Sequence, residues 1–159
     1  MIKDLVVEKV ELKNSNDIKI AIVQSTYHNE LNSNMTHYCK EVFIQNSIPE
    51  ANIAVHYVPG SWELPLIVKK LASTGNFDAI VAFSIIIKGD TYHFEMIANE
   101  VSRALMDCAM DYLIPVGFEV LAVNTMEQAQ LRASNDNFNK GIEAGNAILK
   151  TLKTLQGIV

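Results

Sequence analysis

The stretch DAIVAFSIII (residues 78–87), followed by KGDTYHFE (88–95), decides the architecture. Ten residues of nearly unbroken apolar character, with no helical period, read as a strand covered on both faces, the pattern of a parallel sheet. Gly89 breaks the run. A helix is predicted to follow from Tyr92 to Tyr112. Outward from this stretch the same alternation recurs. Ile18 to Val23 and Asn52 to Val58 read as strands before it, and Pro115 to Val123 as a strand after it. The intervening helices are read from a cap at Asn32 or Ser33 to about Asn46, and from Glu63 to Ser73. The second has Leu64, Ile67, Val68 and Leu71 on one face and Gly75 beyond its end. Thr125 to Ala133 and Lys140 to Leu155 complete the helices. Strands alternating with helices predict an α/β sandwich with right-handed crossovers.

The N-terminal residues behave differently. Asp4 to Lys13 alternates charged and apolar side chains and reads as an added edge strand, with Asn14-Ser15-Asn16-Asp17 as a loop. The expected division is residues 1–17 as strand and loop and 18–159 as a single domain, consistent with 159 residues sharing one core.

Composition excludes several function classes. With 13 Lys and Arg against 18 Asp and Glu, the net charge of −5 leaves no basic stripe for a phosphate backbone, so no nucleic-acid partner is expected. No apolar run approaches the roughly 20 residues of a membrane span. The start, Met1-Ile2-Lys3-Asp4, lacks a signal peptide's apolar stretch, and the expected compartment is the cytoplasm. Cys39 and Cys108 each fall on the apolar face of a helix and read as buried small hydrophobes. His28, His37, His56 and His93 make no close-spaced pair with a second ligand, so neither a metal nor a cofactor is expected.

In open sheets of this kind ligands bind beyond the carboxyl ends of the strands. The loops there carry unusual residues. Tyr27 follows the first strand, where an aromatic can stack on a flat heterocycle. Ser61-Trp62-Glu63 follows Pro59-Gly60. Ser61 reads as a helix cap or as a grip for a polyhydroxy chain, and Glu63 as a first-turn charge or as an acceptor for hydroxyls. After the third strand, Gly89-Asp90-Thr91 opens a helix whose free N–H groups and Thr hydroxyl suit an anion. His93 lies one turn away, and imidazole ordinarily titrates near neutrality. Arg132 and Lys140 flank a helix break, and Arg offers a planar fork for phosphate. Each feature alone also has an ordinary structural reading. Their convergence on one sheet edge is what points to a small phosphorylated substrate.

At these loops the chain resembles the lumazine synthase family. The resemblance is collinear from about Ile18 to Leu155 and is carried by IKIAIVQSTYHNE, VPGSWELPL, AFSIIIKGDTYHFE, PVGFEVLAVNTMEQAQLRA and NKGIEA. It implies a three-layer α/β/α sandwich of flavodoxin-like type, with a central, mainly parallel four-stranded sheet. It implies condensation of 5-amino-6-(D-ribitylamino)uracil with 3,4-dihydroxy-2-butanone 4-phosphate, giving 6,7-dimethyl-8-ribityllumazine, phosphate and water. By resemblance Tyr27 stacks on the pyrimidine, Ser61, Trp62 and Glu63 hold its ribityl chain, and Ile85, Ile86 and Ile87 read its edge. Asp90 and Thr91 bind phosphate, and His93 is the catalytic histidine. Phe118 and Arg132 come from a neighbouring subunit, with Lys140 near the same phosphate. The implied partners are therefore these small molecules and further copies of the chain, in a pentamer or larger shell. The chain departs from the family at Tyr27-His28, where Phe or Trp followed by Asn is common. Smaller residues are usual at Ser84-Ile85, and glycine is usual at Ser134 and Phe138. A protein that holds lumazine or riboflavin without making it, and a shell protein whose catalysis is secondary, are the competing readings; a flavodoxin-like signalling domain ranks last, for want of an acidic pocket with a phosphoacceptor Asp at the end of the first strand.

Overall fold

The computed structural model describes residues 2–158. Four parallel strands form one sheet in the order β2-β1-β3-β4: β1 (Ile20–Ser25), β2 (Ile53–Val58), β3 (Ala79–Ile87) and β4 (Val116–Val123). Between and after them run α1 (Asn29–Gln45), α2 (Leu64–Ser73), α3 (His93–Tyr112), α4 (Met126–Arg132) and α5 (Lys140–Gln156). The sheet separates two apolar cores. Ile20 and Ile22 of β1 with Val81, Phe83 and Ile85 of β3 pack against α1, α4 and α5. Ala21 and Val23 with Ile80 and Ala82 pack against α2 and α3. The unbroken apolar run is thus two interleaved faces, each covered by helices, and the three-layer sandwich follows from it. Cys39 and Cys108 are both buried, one in each core.

Helix α5 approaches α1 through two glycines. A β-carbon on Gly141 would stand 2.0 Å from the Met35 carbonyl oxygen, and one on Gly145 2.8 Å from Val42 Cγ1. Helix α2 ends as its sequence signals, with Gly75 just beyond the last turn at φ 70°.

Three local expectations are corrected. The segment from Asp4 to Lys13 is not an edge strand. Leu5, Val7, Val10 and Leu12 do turn inward, but toward the α1/α5 core. Helices offer no strand edge to pair with, so the segment is tied mostly by side chains instead, Lys9 Nζ also donating to the terminal α1 carbonyl of Gln45 at 2.6 Å. Asn137 Oδ1 accepts from Val6 N–H, Asn46 Oδ1 from Val10 N–H and Gln156 Oε1 from Lys13 N–H. Helix α1 begins at Asn29, three residues before the expected cap, with His28 as its N-cap residue. Strand β1 begins two residues later than the alternation indicates, and Ser15–Asp17 forms a short 3-10 turn. Among the described residues no helix is long and apolar enough to cross a membrane.

Candidate functional site

Strand order reverses at β1: the chain steps from β1 to β2 on one side, then crosses to β3 on the other. Loops leaving the carboxyl ends on the two sides diverge there and leave a crevice. A cleft of ≈ 480 Å³ occupies this place, lined by Tyr27, Glu63, Ile86 and His93 together with His28, Gly60, Ser61, Trp62, Ile85, Ile87 and Ile97.

The Tyr27 loop is held rigidly by the fold. Its N–H donates to Pro59 O at 3.1 Å, and the preceding Thr26 N–H to Val58 O at 2.8 Å. The buried Asn32 amide donates to Ser25 O and Tyr27 O at 3.2 and 2.9 Å. Asn32 is therefore not a helix cap but a clamp that ties α1 to the loop before it. The Tyr27 ring itself is 67% exposed.

The segment after β2 makes a 3-10 turn, Ser61–Glu63, before α2. Ser61 does not cap that helix. Its hydroxyl is buried and pairs with the Ser84 hydroxyl of β3, which anchors the turn to the sheet. Glu63 folds back so that Oε2 accepts from Gly60 N–H at 3.0 Å. Its other carboxylate oxygen makes no hydrogen bond among the described residues and remains available to hydroxyl groups. Trp62 is exposed at the rim.

The strand end of β3 alternates as β geometry requires. Ile86 packs toward α2 and α3, the cleft side, while Ile85 and Ile87 pack toward the opposite core. At 2% exposure, the bulk of Ile85 is absorbed by that core and does not crowd the cleft. The turn Lys88 to Tyr92 follows, with the Lys88 ammonium 3.7 Å from the Glu95 carboxylate across it. His93 is the first residue of α3 and lines the cleft. Asp90 and Thr91 lie exposed in the turn and are not among the cleft's lining residues. Neither side chain caps α3.

Phe118, Arg132 and Lys140 are not brought into this cleft within one chain. Phe118 projects from the edge strand β4 and is 49% exposed. Arg132 and Lys140 line a separate hollow of ≈ 670 Å³ with Leu131, Phe138 and Lys150. There the Arg132 guanidinium donates to Gln128 O at 3.0 Å, and Lys140 pairs with Glu143. The loop between these cations is well ordered by bonds. Asn34 donates to Ala133 O at 2.7 Å, Asn139 to Ser134 O at 2.7 Å, and the Asp136 carboxylate accepts from Ser134 Oγ and Phe138 N–H at 2.6 and 2.8 Å. Those two bonds to its charged form hold the Asp136 carboxyl below its ordinary range. Ser134 is thus a working part of the loop. Phe138 beside Leu131 is 83% exposed, an apolar flank to a cationic surface.

Three cleft residues lie outside the candidates read from the sequence, His28, Gly60 and Ile97. Ile97 is one turn past His93 on α3, so helical spacing alone would have found it. A further hollow at the amino ends of the strands, lined by Phe77, Tyr112, Leu113 and Leu155, lies at the opposite end of the sheet.

Comparison with models of protein families matches residues 17–156 to 6,7-dimethyl-8-ribityllumazine synthase. The match spans all four strands and five helices and includes the cleft and the cationic hollow. The chain belongs to the lumazine synthase family.

Proposed function

We propose that the protein is a transferase that condenses 5-amino-6-(D-ribitylamino)uracil with 3,4-dihydroxy-2-butanone 4-phosphate to give 6,7-dimethyl-8-ribityllumazine, the penultimate step of riboflavin biosynthesis. The observation that carries this reading is the division of groups. A stacking aromatic, a free carboxylate oxygen and an imidazole share one cleft, and a pair of cations lines a second surface of the same chain. The two halves complement one another only if a neighbouring copy brings its hollow to the cleft. A closed ring of copies does this for every subunit.

In this reading Tyr27 stacks on the pyrimidine, the backbone of Ile85, Ile86 and Ile87 reads its edge, and Ser61, Trp62 and Glu63 grip the ribityl hydroxyls. Asp90 and Thr91, at the turn into α3, meet the phosphate with their backbone. The neighbour's Arg132 and Lys140 neutralise it, and the neighbour's Phe118 closes the cleft. The uracil amine attacks the ketone carbon and water leaves as the imine forms. A proton leaves the carbon that bears the hydroxyl group as phosphate departs from the neighbouring carbon, and the resulting enol takes up a proton at its terminal carbon to become a ketone. The ribitylamino nitrogen then attacks that ketone carbon and closes the ring with loss of a second water. His93 receives and returns protons in these transfers. Arg132 stabilises the departing phosphate. Much of the acceleration comes from holding two reactants together, so the imidazole assists a reaction that proximity already favours.

Mixing the purified protein with both substrates and following the fluorescent product tests the proposal. Product above the uncatalysed background is expected. Binding of the lumazine with no turnover would replace the enzyme with a carrier.

A further inference from the structure

The Tyr27 ring raises a question that its backbone does not answer. Both main-chain groups of Tyr27 are pinned, yet the ring is two-thirds exposed and has two side-chain torsions free to turn. A stacking platform that swings loses affinity, because binding must then order it. The aromatic ring recorded against it is His28, with centroids 4.4 Å apart and planes at 62°, an edge-to-face pair.

His28 is placed for this by its own backbone. It stands at φ 59°, ψ 46°, the left-handed region, as the chain turns from β1 into α1. That conformation is open to glycine, asparagine, aspartate and histidine alike and makes no use of a ring. His28 donates no side-chain cap to α1. It is half-buried and lines the same cleft as Tyr27 and His93. The imidazole is thus surplus to the turn, and it packs edge-on against the Tyr27 ring.

We propose that His28 is a positioning residue whose imidazole braces the Tyr27 ring edge-on and fixes the plane on which a flat heterocycle stacks. The inference rests on the proposed function, which puts a pyrimidine or lumazine ring there. It assigns the pair Tyr27-His28, rather than Tyr27 alone, as the determinant of heterocycle affinity.

Equilibrium binding of 6,7-dimethyl-8-ribityllumazine to the intact protein, read by its fluorescence, tests the brace in wild type, His28→Asn, Tyr27→Ala and the double variant. Asparagine accepts the left-handed backbone, so His28→Asn is expected to melt at the wild-type temperature. It is expected to bind about threefold to tenfold more weakly, the range of one edge-to-face pair. In the Tyr27→Ala background the same substitution is expected to cost nothing further, since the ring it braces is gone. Wild-type affinity in His28→Asn overturns the brace. So does a loss that persists undiminished without Tyr27, which would mean direct contact between imidazole and ligand. Wild-type protein that binds no lumazine overturns the proposed function and the brace with it, whereas normal wild-type binding with a silent His28→Asn overturns the brace alone.

Discussion

Glu119 stands half-buried on β4, facing the start of α5, where Lys140 and Glu143 form an ion pair. Burial pushes its carboxyl up to about 7 from an ordinary 4.5, with Glu143 adding to the rise and Lys140 opposing it. The folded protein therefore holds this proton more tightly than the unfolded chain. Its contribution to stability is complete below pH 4.5 and is lost as pH rises through 7. Glu119→Gln keeps the neutral form at every pH. The variant should match wild type near pH 4.5 and exceed it at pH 8 by about 1–3 kcal/mol. Denaturant unfolding at fixed protein concentration at the two pH values checks this, and an equal effect at both contradicts it. At the same scale, His93→Ala should lower kcat on the order of 10²-fold while leaving measurable turnover. Unchanged kcat under substrate saturation would remove the imidazole from the reaction. Residue placements were only partly legible in the sequence. Tyr27, Glu63 and His93, which line the cleft, were visible because their chemistry is unusual at strand ends. Asn32 and Ser61 both read as helix caps, since a small polar residue near a helix start looks the same whether it bonds N–H groups ahead or carbonyls and hydroxyls elsewhere. His28 stood out only as a departure from the family, and its left-handed backbone and its place in the cleft were not read from the sequence.

The elements were more legible, for reasons that differ from one to the next. Strand β3 and helix α2 were placed within a residue or two because one is apolar on both faces and the other has a clean apolar stripe with Gly75 behind it. The segment from Asp4 to Lys13 misled because alternation reports only which side chains face inward. It does not say whether a sheet edge or a pair of helices receives them. The closeness of α1 and α5 was equally hidden, although Gly141 and Gly145 permit it. Gly145→Ala should destabilise by about 1–3 kcal/mol as Val42 gives way. Gly141→Ala should cost more, since its β-carbon meets a backbone carbonyl that cannot rotate aside. Thermal unfolding of the two variants orders them, and equal melting temperatures would show that the helices separate freely.

At the scale of the whole molecule, one chain carries two separate lined surfaces, which the proposed function takes as the two halves of one site. The cleft is lined by Tyr27, Glu63 and His93, and the hollow beyond α4 by Arg132 and Lys140 with an apolar flank at Leu131 and Phe138. No reading of strands and helices predicts this, because intrachain topology is silent on which surface a second copy covers. Arg132→Ala should raise KM for the butanone phosphate by about 10-fold to 10²-fold, the loss of charge-assisted bonds, with little effect on binding of the lumazine. Unchanged KM would place the phosphate elsewhere. The claim that two copies build each site is tested most directly by complementation. His93→Ala and Arg132→Ala subunits are unfolded, mixed in equal amounts and reassembled together, then assayed with both substrates, the butanone phosphate held well below the KM of Arg132→Ala. Random rings should restore about a quarter of the sites, each pairing an intact cleft with an intact hollow from its neighbour, and activity should rise well above either variant alone. Activity no higher than the average of the two separate variants would contradict the account.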